Sequence, residues 1–167
     1  MLERVDHTLL PWADDESRVL VLGTMPSPKS RARGMYYGHP QNRFWPLVTM
    51  LLGYAEVPLD YADKKQMLLD NRIALWDVLG YCEREGSLDS DITCEQPNDL
   101  AGFLQNHPQI HTICCNGGKA AATFKKYTRQ LDLQRITVHF LPSTSPANAR
   151  WSLTKLLEAW QVINTGR

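Results

Sequence analysis

Cysteine is scarce in this chain, and its placement rules out the usual cysteine chemistry. Cys82, Cys94, Cys114 and Cys115 include no C-x-x-C pair, so neither a zinc ribbon nor an iron–sulfur set is supported. Cys114 and Cys115 are neighbours on an expected strand and point to opposite faces, which reads as buried free thiols in a reducing cytoplasm. No apolar run approaches the ~20 residues of a membrane span, and the charged start with its short first apolar run does not read as a signal peptide. Charge of one sign is missing as well. Lys+Arg and Asp+Glu both number 18, so no global field draws in a polyanion, and such a partner must be held by a local patch. The familiar nucleotide and hydrolase signatures are absent: no G-x-G-x-x-G, no Walker loop and no G-x-S-x-G elbow. His7, His39, His107, His111 and His139 show no metal-ligand spacing. No metal or cofactor is expected.

What the chain does have is the composition of a soluble globular protein, 43% hydrophobic and 22% charged over 167 residues. That length favours one domain, 1–167, with a full-sized core. Four short, largely apolar runs bounded by turn residues read as buried parallel strands: Arg18–Gly23, Arg72–Val78, Thr112–Asn116 and Ile136–Leu141. Helical patterns lie between them. Phe44, Leu47, Val48 and Leu51 share one helix face, with Pro46 tolerated in the first turn. Tyr61–Asp70 is capped by Asp60. Leu100, Phe103 and Leu104 mark a helix stopped by Pro108. Gly118–Leu131 is a fourth helix, and Leu153 to Ile163 carry a fifth. Alternating strands and helices imply an α/β fold, a parallel sheet covered on both faces with right-handed crossovers. Gly80 to Pro97 is the least regular stretch and reads as a surface loop.

Two blocks follow strands and so fall at one edge of the sheet, where open α/β folds place ligands. The first is Gly23-Thr24-Met25-Pro26-Ser27, continued by Tyr36-Tyr37-Gly38-His39-Pro40-Gln41-Asn42-Arg43-Phe44-Trp45. The second is Leu141-Pro142-Ser143-Thr144-Ser145-Pro146-Ala147-Asn148. Gly23 and Pro26 make a rigid turn whose backbone N–H groups can face a ligand. Tyr36 and Tyr37 suit either packing onto the core or a platform for a nucleobase. Asn42 precedes a helix and suits an N-cap, but its amide, both donor and acceptor, also suits holding a water. Asn116, before Gly117-Gly118, suits a turn or the reading of a base edge. The second block is small, rigid and hydroxyl-rich, suited to gripping phosphates and entering a groove. Between Lys29 and Trp45 lie Lys29, Arg31, Arg33 and Arg43 with no acid, a local patch for salt-sensitive nucleic-acid contact.

In this order the blocks resemble the uracil-DNA glycosylase superfamily, and within it the hypoxanthine-DNA (deoxyinosine) glycosylases. Trp76-Asp77-Val78, Gly86–Ile92 and Asn116-Gly117 add to the match. The resemblance implies a three-layer αβα sandwich around a four-stranded parallel sheet of order 2-1-3-4. It implies a monofunctional enzyme that hydrolyses the N-glycosidic bond of a deaminated base, hypoxanthine or uracil, flipped out of double-stranded DNA. A monomer in the bacterial cytoplasm is the matching expectation. Met25 stands where many members carry a water-activating Asp or Asn, and Leu141 where many carry a His, so the catalytic role passes to Asn42. Gly23, Thr24, Met25, Tyr37 and Asn116 would bind the base. Ser27, Ser143, Ser145, Pro146, Asn148 and Arg150 would hold DNA. Two alternatives stay open: a noncatalytic damaged-DNA-binding protein, and a flavodoxin-like protein for a small phosphorylated ligand.

Overall fold

The computed structural model describes residues 3–6, 9–84 and 92–167. Its centre is a parallel sheet of β2 (Val19–Gly23), β3 (Ile73–Asp77), β6 (Thr112–Asn116) and β7 (Thr137–Leu141), ordered β3-β2-β6-β7. Counting only these strands, the order is 2-1-3-4. Val19 pairs with Ile73 on one side and Thr112 on the other, and Thr112 pairs with Thr137, so all four strands start level. Every residue of β2 and β6 is buried, as continuous apolar strands between two covering layers require.

Alternation along the strands divides the core in two. Val19, Val21, Ile73, Leu75 and Cys114 pack under α2 (Phe44–Leu51), α3 (Tyr61–Asp70), α6 (Leu153–Ala159) and α7 (Val162–Gly166). Leu20, Leu22, Ala74, Ile113 and Cys115 pack under α4 (Leu100–Asn106) and α5 (Gly118–Tyr127). The adjacent cysteines do face opposite layers, and burial pushes both thiols up to about 12. They are inert hydrophobes at neutral pH.

The stretch from Gly80 to Pro97 is not simply a surface loop. β4 (Leu79–Arg84) and β5 (Ile92–Pro97) run antiparallel and add β1 (Glu3–Asp6) in a second sheet ordered β1-β4-β5. The polar alternation of these strands is weak, and β1 lies far away in sequence, so local pattern did not reveal the pairing. Of the Gly86–Ile92 motif, residues 86–91 lie outside the described residues. Three helical readings also differ from expectation. The helix expected over Gly118–Leu131 ends at Tyr127, where Thr128 turns its hydroxyl back onto the Phe124 carbonyl (2.7 Å). The Leu153–Ile163 pattern is broken at Trp160 and Gln161 into α6 and α7, and a short α1 (Pro28–Arg33) replaces loop, with Ser27 as its N-cap. Among the described residues, no helix is long and apolar enough to cross a membrane.

Candidate active site

The C-terminal ends of β2, β3, β6 and β7 open into a cleft of about 370 Å³. Gly23 to Ser27 form one wall and Ser143 to Ser145 the opposite one, while Tyr37, Asn42, Asp77 and Asn116 converge from between. Two backbone bonds pin the floor: Val78 N–H to the Gly23 carbonyl (2.9 Å) and Leu79 N–H to the Thr24 carbonyl (3.0 Å).

The structure separates the tyrosine pair. Tyr36 is 2% exposed. Its hydroxyl donates to the Leu10 carbonyl (2.8 Å), and its N–H donates to the Tyr61 hydroxyl (2.6 Å). Burial, aided by the charge of Asp77, raises the Tyr36 hydroxyl far above its ordinary range, so it stays protonated. Burial pushes Tyr61 up to about 12. Tyr36 is a packing residue. Tyr37 takes a left-handed φ of 52° and stacks on Phe44, with ring centres 4.0 Å apart and planes 20° off parallel. Phe44 thus holds the Tyr37 ring at the cleft wall.

A side-chain chain links the three strand ends. Asn116 donates through Nδ2 to the Tyr37 hydroxyl (3.2 Å) and to Thr144 Oγ1 (3.0 Å), and its Oδ1 accepts from Thr144 N–H (3.0 Å). The Thr144 hydroxyl donates to Asn42 Oδ1 (2.9 Å), which also accepts from Phe44 N–H (2.9 Å). A backbone N–H can only donate, so the Phe44 bond fixes which end of the Asn42 amide is oxygen. Both acceptor positions of that oxygen are taken. Its Nδ2 has no acceptor among the described residues. Asn42 is not the N-cap the sequence suggested: Arg43 holds that position and makes no side-chain cap bond. Asn42, one residue earlier, ties down the first residue of α2 and lines the cleft with its NH₂ group uncommitted among the described residues.

The second block is braced from within. Ser143 Oγ accepts from Ser145 N–H (3.1 Å), Ser145 Oγ from Ala147 N–H (3.2 Å), and Asn148 Nδ2 donates to the Ser143 carbonyl (2.9 Å). Each serine hydroxyl keeps its own hydrogen for an outside acceptor. Gly117, at a φ of 100°, lets this loop close in: a Cβ there would lie 3.0 Å from Ser143 Cβ. Pro146, Asn148 and Arg150 do not line the cleft. Arg150 is exposed and borders a separate hollow with Trp151 and Lys155. Ser27 spends its hydroxyl on Ser30, accepting from Ser30 N–H (3.2 Å) and donating to Ser30 Oγ (3.1 Å).

Sequence reasoning passed over Thr144 and Asp77. Thr144 is fully buried, although it sits between two cleft serines. Its place in the middle of the hydroxyl run was the available signal. Asp77, 4% exposed, ends β3 on the cleft floor, and an acid closing an apolar strand marked it. Among the described residues, no group of three or more His, Cys, Asp and Glu side chains gathers to hold a metal ion.

Residues 10–164 match the model of the Uracil DNA glycosylase superfamily. The chain belongs to that superfamily. A curated "Hypoxanthine DNA glycosylase" of Methanosarcina acetivorans is 38% identical over 150 residues, covering 90% of this chain and 92% of its own. A protein of the same description from Methanosarcina barkeri is 31% identical over 150 residues with the same coverage. The solution NMR structure of a candidate uracil DNA glycosylase from Methanosarcina acetivorans superimposes with a TM-score of 0.79. It shares 33% identity and covers 98% of this chain and 99% of that one. Membership makes this chain a DNA glycosylase, a hydrolase of N-glycosidic bonds with DNA as its substrate. Neither the flavodoxin-like nor the noncatalytic alternative is favoured. Within this superfamily member, Met25 and Leu141 are both buried apolar residues, at 6% and 8% exposure. Neither can activate a water or donate a proton.

Proposed function

We propose that this glycosylase excises a deaminated base, hypoxanthine ahead of uracil, from double-stranded DNA, acting as a cytoplasmic monomer. The observation that carries the reading is Asn42: its oxygen is held by Phe44 and Thr144, and its NH₂ is left at the wall of the cleft. The two hypoxanthine glycosylases at 38% and 31% identity support the choice of base.

The nucleotide is flipped from the stack into the cleft, which costs a few kcal/mol and least at a mispair. Tyr37 stacks on the base, and Asn116, with Gly23, Thr24 and Met25, bounds its edge. The C1′–N bond breaks first, its electron pair leaving with the base, and the sugar gains oxocarbenium character. N–H groups of the Gly23–Ser27 turn stabilise charge on the departing base. Asn42 donates to the oxygen of a water and so positions it, and the water adds to C1′ as its proton passes to solvent. An amide is no general base, so positioning rather than deprotonation is its part. The hydroxyls of Ser143 and Ser145, and the surface around Pro146, Asn148, Arg150 and Ser27, contact the DNA backbone. Among the described residues no lysine lines the cleft, which supports an abasic site in an intact strand as the product.

The test is single-turnover cleavage of duplexes carrying hypoxanthine, uracil, xanthine or thymine opposite each base. Hypoxanthine release without strand scission is the expected result, and tight binding with no base released would return the noncatalytic reading. Asn42→Ala should slow excision by at least about tenfold, equivalent to about 1.4 kcal/mol. A loss of thermal stability alone would leave Asn42 as a structural tether between Phe44 and Thr144.

A further inference from the structure

Arg43 follows Asn42 in a basic stretch, where sequence alone suggests a DNA contact. It points the other way. Its Nη1 donates to the Trp151 carbonyl, and its Nη2 donates to the carbonyls of Ser145 and Asn148, both at 3.0 Å. Its backbone N–H donates to the Thr144 carbonyl (3.1 Å), and its own carbonyl accepts from Leu47 N–H (2.9 Å) inside α2. One half-buried residue therefore holds four carbonyls of the second block and its continuation while anchored at the start of a core helix.

Three part-buried carbonyls turned toward one point repel each other, an arrangement that favours a cation with several fixed donors. Guanidinium offers five N–H groups in a rigid fork, whereas an ammonium is a compact point charge. The far end of the same loop is tied independently, by Trp160 Nε1 to the Pro142 carbonyl (3.0 Å). What Arg43 adds is a link between this loop and the residue next to itself. The Thr144 hydroxyl reaches Asn42 Oδ1 at 2.9 Å, so the Asn42 amide and the Pro142–Asn148 loop are set by one pair of adjacent residues.

We infer that Arg43 is a positioning residue that fixes the Pro142–Asn148 loop for extracting a base from the duplex. The inference rests on the excision of hypoxanthine from duplex DNA proposed above. A loop held rigid at the mouth of the cleft can press into the helix and keep a nucleotide outside it, which matters only where there is a stack to open. A single strand has no such requirement. Loss of Arg43 should therefore separate the two substrates.

The experiment compares wild type, Arg43→Lys and Arg43→Ala in single-turnover excision of hypoxanthine from a duplex and from the same strand alone. Arg43→Lys should slow the duplex reaction by about tenfold or more, and the single-strand reaction by less than about threefold. Added guanidinium ion should restore part of the duplex rate of Arg43→Ala, and urea at equal concentration should not. Equal losses on the two substrates, or no loss, would overturn the inference. Amide hydrogen exchange of residues 143–151 gives a readout that needs no activity. It should quicken in Arg43→Lys while α2 is unchanged, and unaltered exchange would refute the clamp. If wild type releases no hypoxanthine from either substrate, the proposed choice of base fails, and exchange still decides whether the clamp exists.

Discussion

Gly23 has no room for a side chain. A Cβ there would fall 2.3 Å from Asp77 Oδ1 and 3.1 Å from the Tyr37 hydroxyl. β2 and β3 end side by side at Gly23 and Asp77, so the Asp77 carboxylate lies across the bare backbone of its neighbour. Gly23→Ala should therefore lower stability by about 1–3 kcal/mol through overpacking and push Asp77 and Tyr37 out of register with the cleft. Urea melts alongside the excision assay would check it, and a variant with unchanged stability and activity would show that Asp77 moves aside freely. The first glycine of the block was legible in the sequence as a turn residue. Its second duty, admitting a carboxylate from the next strand, was not, because Asp77 is 54 residues further along the chain.

At the scale of elements, α5 is moored to β5 by charge. Glu95 on β5 accepts from Lys119 (3.2 Å) and Lys126 (3.3 Å), and the Tyr127 hydroxyl donates to its carbonyl (3.2 Å). Burial alone would raise the Glu95 carboxyl, but hydrogen bonds and charge from Lys119 and then Lys126 outweigh it and hold the group below its ordinary value of 4.5. A carboxylate depressed on folding contributes stability that is present above its unfolded value and is lost as pH falls through its folded one. The difference in Tm between wild type and Glu95→Gln should thus be present at pH 7 and shrink below about pH 4.5. Thermal melts from pH 7 to pH 3 would show it, and a difference independent of pH would assign Glu95 a neutral packing role. Periodicity revealed α2 and α4, whose apolar residues at helical spacing are buried, whereas α3 buries only the adjacent Met67 and Leu68 and was legible from the Asp60 at its start. Periodicity missed the break between α6 and α7, where Trp160 is buried on the same face as the helices it separates.

The whole molecule carries no net charge, and the inward turn of Arg43 removes one cation from the basic stretch that suggested a DNA patch. Lys29, Arg33 and Arg150 remain exposed. DNA affinity should then depend on salt only moderately, with a slope in log–log form of about −2 to −4 at about −0.9 per neutralised phosphate. Titration of labelled duplex from 50 to 200 mM salt, roughly the range over which that relation applies, would measure it. A slope near −8 would require a much wider basic surface than these residues supply.

The sequence by itself determined the parallel sheet, its covering layers and the edge at which two special loops meet. Strands, helices and turns are written in neighbouring residues, and parallel strands place their following loops at one end. It also identified the superfamily, and it located Asn42, Tyr37 and Asn116 at the cleft. The tertiary structure alone decided where the side chains of those loops point. Tyr36 turns into the core and Tyr37 into the cleft; Thr144 bridges the two asparagines; Arg43 reaches carbonyls more than a hundred residues away. The β1-β4-β5 sheet belongs with these. Each depends on a partner distant in the chain, and a hydrogen bond has no address in sequence until folding brings both ends together.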